Sequence, residues 1–348
     1  MQKKNLHFKT EFDPLFETIG LLYFVIQKND KDEVIKELYE LGVDGEKFYQ
    51  KYMKIIERYA EAFEKAMTME PDMEFFFRQE EEPETLFYLI VALLVEHREW
   101  MDSLDGVSEE ELRSIIAYVI KDDGEKIIPL CKAKMPVLAD EGEMIEYLAD
   151  VDCTDGMKWH LLELLRRPVY WVARLTRLVK SNIPAYEKAL SGIRKPLEPL
   201  MKRYEKFEDE QFVKMTETCA PGSDVYPSLI AGVAQQVYYT QAYEGIFVEY
   251  LLKKGKSRDE RKESLVLRAK AMGDKSKLDI LCALKESSKY NLELAETLGL
   301  SASTMSHHMN VLFACGFVNI EKKDGRVYYC LQREALEEFV ADLKRLLL

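Results

Sequence analysis

Leu294-Ala-Glu-Thr-Leu-Gly-Leu-Ser-Ala-Ser-Thr-Met-Ser-His-His-Met309 reads as two short helices meeting at a glycine. Asn291 can cap the first, which carries Leu294, Ala295 and Leu298 on one side. Gly299 permits a left-handed turn, Leu300 can plug the space between the helices, and Ser301 is a strong N-cap for a helix starting at Ala302. On that second helix Met305, Met309, Leu312 and Phe313 fall on one face, and Ser303, Thr304, Ser306, His307 and Asn310 on the other. The apolar face needs a core, and the opposite face carries short hydrogen-bonding side chains near the helix start.

Working outward, a helix with Leu265, Leu267 and Ala271 is broken at Gly273, and Asp274 caps a further helix expected to bury Leu278, Leu281 and Leu284. Beyond Gly316, two strand patterns from Phe317 to Leu331 flank Asp324-Gly325, a strong hairpin signal, with Lys322, Lys323 and Arg326 at its tip. A last amphipathic helix, about Arg333 to Leu346, places Leu336, Phe339, Val340 and Leu343 on one face. This order is a winged helix-turn-helix. Its second helix would present Ser301, Ser303, Thr304, Ser306, His307 and Asn310 to base edges in a major groove of double-stranded DNA, and the wing cations would meet phosphates. Blander readings stand beside these: Ser301 as cap rather than base reader, the wing cations as a solvated tip, and His308 as a half-buried packing residue. His307 and His308 point about 100° apart on a helix, which disfavours a shared metal ion.

Ala269-Lys-Ala-Met-Gly-Asp-Lys-Ser-Lys-Leu-Asp-Ile-Leu281, the Leu294–Met309 run and the wing together resemble the ArsR/SmtB family of transcriptional regulators over about residues 262–348. The resemblance implies a homodimer formed by the first and last helices of the module. Its two recognition helices would lie about 34 Å apart on a near-palindromic operator. The usual Asp-Pro-Thr-Arg of that family reads Asp274-Lys-Ser-Lys277 here, and a lysine is tolerated in a first helical turn. Metal-sensing members carry Cys-x-Cys before the recognition helix, or His and carboxylates on the last helix. Here those places read Asn291-Leu-Glu-Leu-Ala-Glu and Arg333-Glu-Ala-Leu-Glu-Glu-Phe, without thiol or imidazole, so no metal site and no cofactor is expected.

The rest of the chain has no such resemblance. Its 348 residues suggest about two domains, and 47% apolar content suits packed cores. Lys253-Lys-Gly-Lys-Ser-Arg-Asp-Glu-Arg-Lys262 reads as an exposed connection, dividing a large helical domain, 1–255, from the DNA-binding domain, 256–348. The expected fold class is therefore mainly α, with a winged helix-turn-helix at the C-terminal end. Net charge is −13. From Arg261 onward 14 basic residues face 12 acidic ones, so the excess of +2 there leaves −15 on everything before it. The acidic part should keep away from phosphate.

Amphipathic helices are expected over Phe48–Phe63, over Leu112–Val119 after the cap Ser108, from about Pro83 to His97, and from about Thr154 to Lys180. Pro184, Pro196 and Pro199 should punctuate a further helical stretch ending near Lys214. Val/Ile/Tyr-rich runs between Val225 and Leu251, separated by Gly232 and Gly245, suggest a small β element, for instance a hairpin. Trp159, Tyr170, Trp171, Tyr226, Tyr238, Tyr239, Tyr243 and Tyr250 are read as core before any aromatic ligand pocket. Met1-Gln-Lys-Lys-Asn-Leu-His-Phe-Lys9 offers no signal-like apolar stretch, and the longest apolar run, Leu86–Val95, falls short of the roughly 20 residues of a membrane helix, so a soluble cytoplasmic protein is expected. Six dispersed cysteines are read as reduced and buried.

No catalytic motif is present: no Gly-Lys-Ser/Thr phosphate loop, no Gly-x-Ser-x-Gly elbow, and Glu96-His-Arg-Glu-Trp100 is not a zinc motif. The chain is read as a non-enzyme, an ArsR-type repressor of transcription controlled through its N-terminal domain by a non-metal, small-molecule effector. Two alternatives follow from the same residues. One is a constitutive DNA-binding protein with an interaction or dimerisation scaffold, and the other an enzyme fused to a DNA-binding module.

Overall fold

The computed structural model describes residues 5–28, 31–41, 43–78, 83–122, 130–207, 209–252, 258–300, 302–323 and 326–348. The N-terminal part runs β1 (His7–Phe8), α1 (Pro14–Gln27), α2 (Lys31–Glu40), α3 (Gly45–Phe48), α4 (Lys54–Glu64), α5 (Met73–Phe77), α6 (Pro83–Glu96), α7 (Glu109–Ile120), α8 (Glu141–Ala149) and α9 (Asp155–Arg166). It continues with α10 (Pro168–Tyr204), α11 (Glu210–Cys219), β2 (Asp224–Ser228), β3 (Gln235–Val237), β4 (Gln241–Gly245) and α12 (Val248–Leu252). The C-terminal part comprises α13 (Arg258–Gly273), α14 (Lys275–Glu286), α15 (Asn291–Leu298), α16 (Ala302–Ala314), the hairpin β5 (Val318–Lys323) and β6 (Arg326–Leu331), and α17 (Arg333–Leu347). The architecture is mainly α, as the sequence implies. The expected boundary at 255/256 lies outside the described residues.

Helices that are apolar on every side end up central, because no face prefers water. α6, the Leu86–Val95 run, is such a helix, and α1 buries Leu15 through Leu22. No described helix is long and apolar enough to cross a membrane. Ser108 caps α7 by accepting from the Glu111 N–H at 3.1 Å, as expected.

α10 departs from expectation. It continues for 37 residues through Pro184, Pro196 and Pro199, and the following helix, α11, is separate, capped by Asp209 and ending at Cys219 rather than near Lys214. An interior proline costs about 3 kcal/mol, but each fully buried Val, Leu or Ile contributes roughly 1.5–3 kcal/mol. α10 buries Val172, Leu175, Leu178, Val179, Ile193 and Leu197 in the large N-terminal core, so packing outweighs the lost backbone bonds. The helical region expected from Thr154 to Lys180 divides at Pro168, which starts α10, a position where a missing N–H costs nothing.

The β element is larger than a hairpin. β3 and β4 do pair antiparallel (Gln236↔Tyr243), but β2 lies parallel to β4 and β1 parallel to β2, giving the order β1-β2-β4-β3. Gly245 is required there: a Cβ on it would lie 2.1 Å from the carbonyl oxygen of Gly232, which itself has φ +56°. Of the aromatic residues assigned to core, Tyr238, Tyr239 and Tyr243 are buried, whereas Trp159 is exposed on α9. The cysteines also divide: Cys219 and Cys315 are buried, Cys131 and Cys282 exposed, and none of the six is in a disulfide.

The C-terminal part has its own core, built from Leu265, Leu267, Ile280, Leu281, Leu284, Leu294, Met305, Met309, Leu312, Phe317 and Phe339. Two expectations are corrected. Leu278 is 40% exposed, and its place is taken by Ile280; Asn291 is the first residue of α15, with Tyr290 at the cap position.

Candidate nucleic-acid interface

The turn between α15 and α16 forms as glycine chemistry dictates. Gly299 adopts φ +65°, and the Leu300 N–H returns to the Ala295 carbonyl at 3.0 Å, closing α15. Leu300 packs against the module core. α16 then drives Met305, Met309, Val311 and Leu312 inward. By helical periodicity this turns the Ser303, Thr304, Ser306, His307 and Asn310 positions to the other side. Thr304 is exposed; the side chains of Ser303, Ser306, His307 and Asn310, and Ser301 altogether, lie outside the described residues. His308 is half-buried, as anticipated.

The wing pairs Val318↔Leu331 at its base and Lys323↔Arg326 at its last described rung, and the Asp324-Gly325 turn lies outside the described residues. Lys323 is exposed, 3.3 Å from Glu321, while the Arg326 guanidinium sits 5.1 Å over the Tyr290 ring. The side chain of Lys322 is outside the described set. Sequence reasoning missed a third strand-like rung: Lys289 and Tyr329 exchange backbone hydrogen bonds of 3.1 and 2.7 Å, tying the approach to α15 onto the wing. The signal was present in Lys289-Tyr290, a short extended stretch just before the helix. Hence the approach to α15 is joined to the wing through the backbone.

Electrostatics at the module's entry favour order. Asp274 caps α14 by accepting from the Lys277 N–H at 2.9 Å. Burial works to raise its carboxyl, but the Lys277 N–H and ammonium outweigh this and hold it below the usual carboxylate value. A carboxylate at a helix start also meets the positive end of the helix dipole. No group of three or more metal-ligating side chains occurs among the described residues.

On its far side the wing does not face water. Ile320 and Val327 are buried against Met215 and Cys219 of α11 and Val237 of β3. This contact between the N-terminal part and the wing was not anticipated. The clue was the apolar alternation of the hairpin, which extends to Val327, where Phe313 and Tyr329 of the module share the cover with α11 and β3.

Residues 274–319 match the model of a family described as bacterial regulatory protein, arsR family. Over 81 residues the chain is 35% identical to the transcriptional activator HlyU of Vibrio cholerae serotype O1 (strain ATCC 39315 / El Tor Inaba N16961), covering 23% of this chain and 75% of that protein. No solved structure matches the chain.

Proposed function

Because the chain belongs to the arsR family of bacterial regulatory proteins through its C-terminal module, we propose that residues 256–348 bind operator DNA as a homodimer and that residues 1–255 form the domain that controls them. The protein is thus read as a DNA-binding transcriptional regulator. The observation that carries the reading is α16: a helix anchored by Met305, Met309 and Leu312, preceded by the tight Gly299 turn, with its polar positions turned away from the core. Ser301, Ser303, Thr304, Ser306, His307 and Asn310 are the proposed groove-facing set, and Lys322, Lys323 and Arg326 the phosphate contacts of the wing.

Homodimerisation is supported by apolar side chains left exposed on the module's first and last helices, Val266 on α13 and Val340, Leu346 and Leu347 on α17. Val340 shares the face of Leu336, Phe339 and Leu343, which suits packing or dimerisation, and at 50% exposure it is available to a second copy. A non-metal effector is supported by the absence of thiol and imidazole from the family's two metal-sensing positions. Such an effector acts by binding one dimer geometry more tightly than another; equal affinity for both would shift nothing. Repression follows when the occupied operator overlaps a promoter. A second reading, activation, is favoured by the V. cholerae relative, a transcriptional activator.

Selection of bound sequences from a random DNA library, at fixed salt, tests the proposal with the full chain and with a Ser306→Ala/His307→Ala variant. A near-palindromic motif that is enriched by the native chain and lost in the variant is the expected outcome. No enrichment, or enrichment indifferent to both substitutions, sinks it.

A further inference from the structure

The wing of an isolated winged helix rests on its own module alone. Here the hairpin's apolar face is covered in two stretches. Val318 at the base belongs to the module core, with Leu331 packed against it, whereas Ile320 and Val327 further along the hairpin are covered by Met215 and Cys219 of α11 and by Val237 of β3 together with the module's own Phe313 and Tyr329. Gly316, where the chain enters the wing, also faces α11: a Cβ there would come within 3.3 Å of Gln211 Nε2.

α11 is in turn fastened to the N-terminal part on its other face. Phe212 and Val213 pack with Leu6, Val225 and Ala242 against the four-stranded sheet. At the start of the helix, Asp209 Oδ1 accepts from the N–H groups of Gln211 and Phe212 at 2.9 and 3.2 Å, and its Oδ2 accepts from Gln235 Nε2 at 2.9 Å. The same Gln235 amide donates to Glu244 Oε1 at 3.0 Å, and the Tyr204 hydroxyl donates to Glu244 Oε2 at 3.0 Å. One short helix therefore joins the sheet and the end of α10 to the wing.

We infer that α11 sets the orientation of the wing, so that a change of state in the N-terminal domain reaches the DNA-binding surface through this helix. Cys219 is its wing-side contact, Met215 packs on both the wing cluster and the sheet cluster, and the Asp209–Gln235–Glu244 chain is its anchor. This rests on the reading of the module as DNA-binding for its consequence, but not for the mechanical coupling itself. A helix packed on two bodies couples them only if its arrangement is biased from both sides, so altering it at one body must change the other.

Hydrogen exchange of the full chain tests it without DNA. Met215→Glu places a charge at the α11–wing contact, and Gln235→Leu cuts the anchor without touching the wing. Exchange across Val318–Leu331 is expected to rise about tenfold in Met215→Glu and about threefold in Gln235→Leu, with the amides of α14 and the core of α16 unchanged. The dissociation constant for the selected DNA should rise in the same order. Unchanged wing exchange in both variants overturns the inference, even if DNA binding is tight. Loosened wings in a chain that selects no DNA leave the coupling standing and overturn the DNA-binding reading instead.

Discussion

The N-terminal and C-terminal parts bury polar groups in opposite ways. Among the described residues, the buried carboxylates Asp13, Glu17, Asp209 and Glu244 all belong to the N-terminal part, whereas the C-terminal core contains a single buried charged residue, Lys277. Asp13 caps α1, takes Arg98 in a two-pronged pair at 3.0 and 2.5 Å, and accepts from the Tyr243 hydroxyl at 2.6 Å. Glu17 is fully buried and accepts from Ser228 Oγ, the Leu229 N–H and the Tyr59 hydroxyl at 2.7, 2.9 and 3.0 Å. The bonds to Tyr243, Ser228 and Leu229 join the start of α1 to residues more than 200 positions away and lock it onto the sheet. The buried core of the C-terminal module is apolar and drawn from residues 265–339. Buried polar networks cost heavily when one partner is lost, while apolar cores lose contacts one at a time.

That contrast can be broken most directly at Asp13. Asp13→Ala removes the α1 cap and strands Arg98 and Tyr243, so a loss of about 3–4 kcal/mol is expected, toward the low end of a broken buried pair because Arg98 is partly exposed. Urea unfolding followed by exchange at α1 and α10 checks it. A loss below about 1 kcal/mol would mean that the network is not what holds the N-terminal part.

A pH series sharpens the contrast. Burial pushes the Glu17 carboxyl up to about 7, against the lowering effect of its hydrogen bonds to Ser228, Tyr59, Ile230 and Leu229. Burial and the neighbouring Asp209 carry Glu244 to about 7 as well. A carboxyl whose folded pKa is raised holds a proton that the unfolded chain has released. Its contribution is therefore greatest below about 4.5 and declines as pH rises through 7. The N-terminal part should lose stability over that interval, and Glu17→Gln should flatten the decline. Equal pH dependence with and without Glu17 would refute this.

Gly299→Val tests the local logic of the C-terminal part. The left-handed φ of +65° is strained for any branched side chain, so about 1–2 kcal/mol of stability should be lost, confined by hydrogen exchange to α15 and α16. The smallest effect concerns DNA. Lys323→Ala should lower the slope of log affinity against log salt by about 1 and leave the selected motif unchanged. A changed motif would assign Lys323 to base reading.

What the residues themselves made legible follows the same division. Gly299, the apolar face of α16 and the alternation around Asp324-Gly325 identify the winged helix because each is a contact among near neighbours. The helices of the N-terminal part were legible from their periodicity for the same reason. Interior prolines misled at α10, since local propensity carries no record of the packing that overrides it.

From sequence alone came the mainly α class, the helix-turn-helix, its polar face and the family resemblance. Only the tertiary structure decided that β1 pairs with β2 across more than 200 residues, that Glu17 and Asp13 are buried anchors, and that α11 packs over Ile320 and Val327 of the wing. The physical reason is range. Periodicity and turn chemistry act over a few residues and leave a pattern in the chain, whereas a buried carboxylate's partners, or the cover over Ile320 and Val327, depend on which distant surfaces the finished fold brings together.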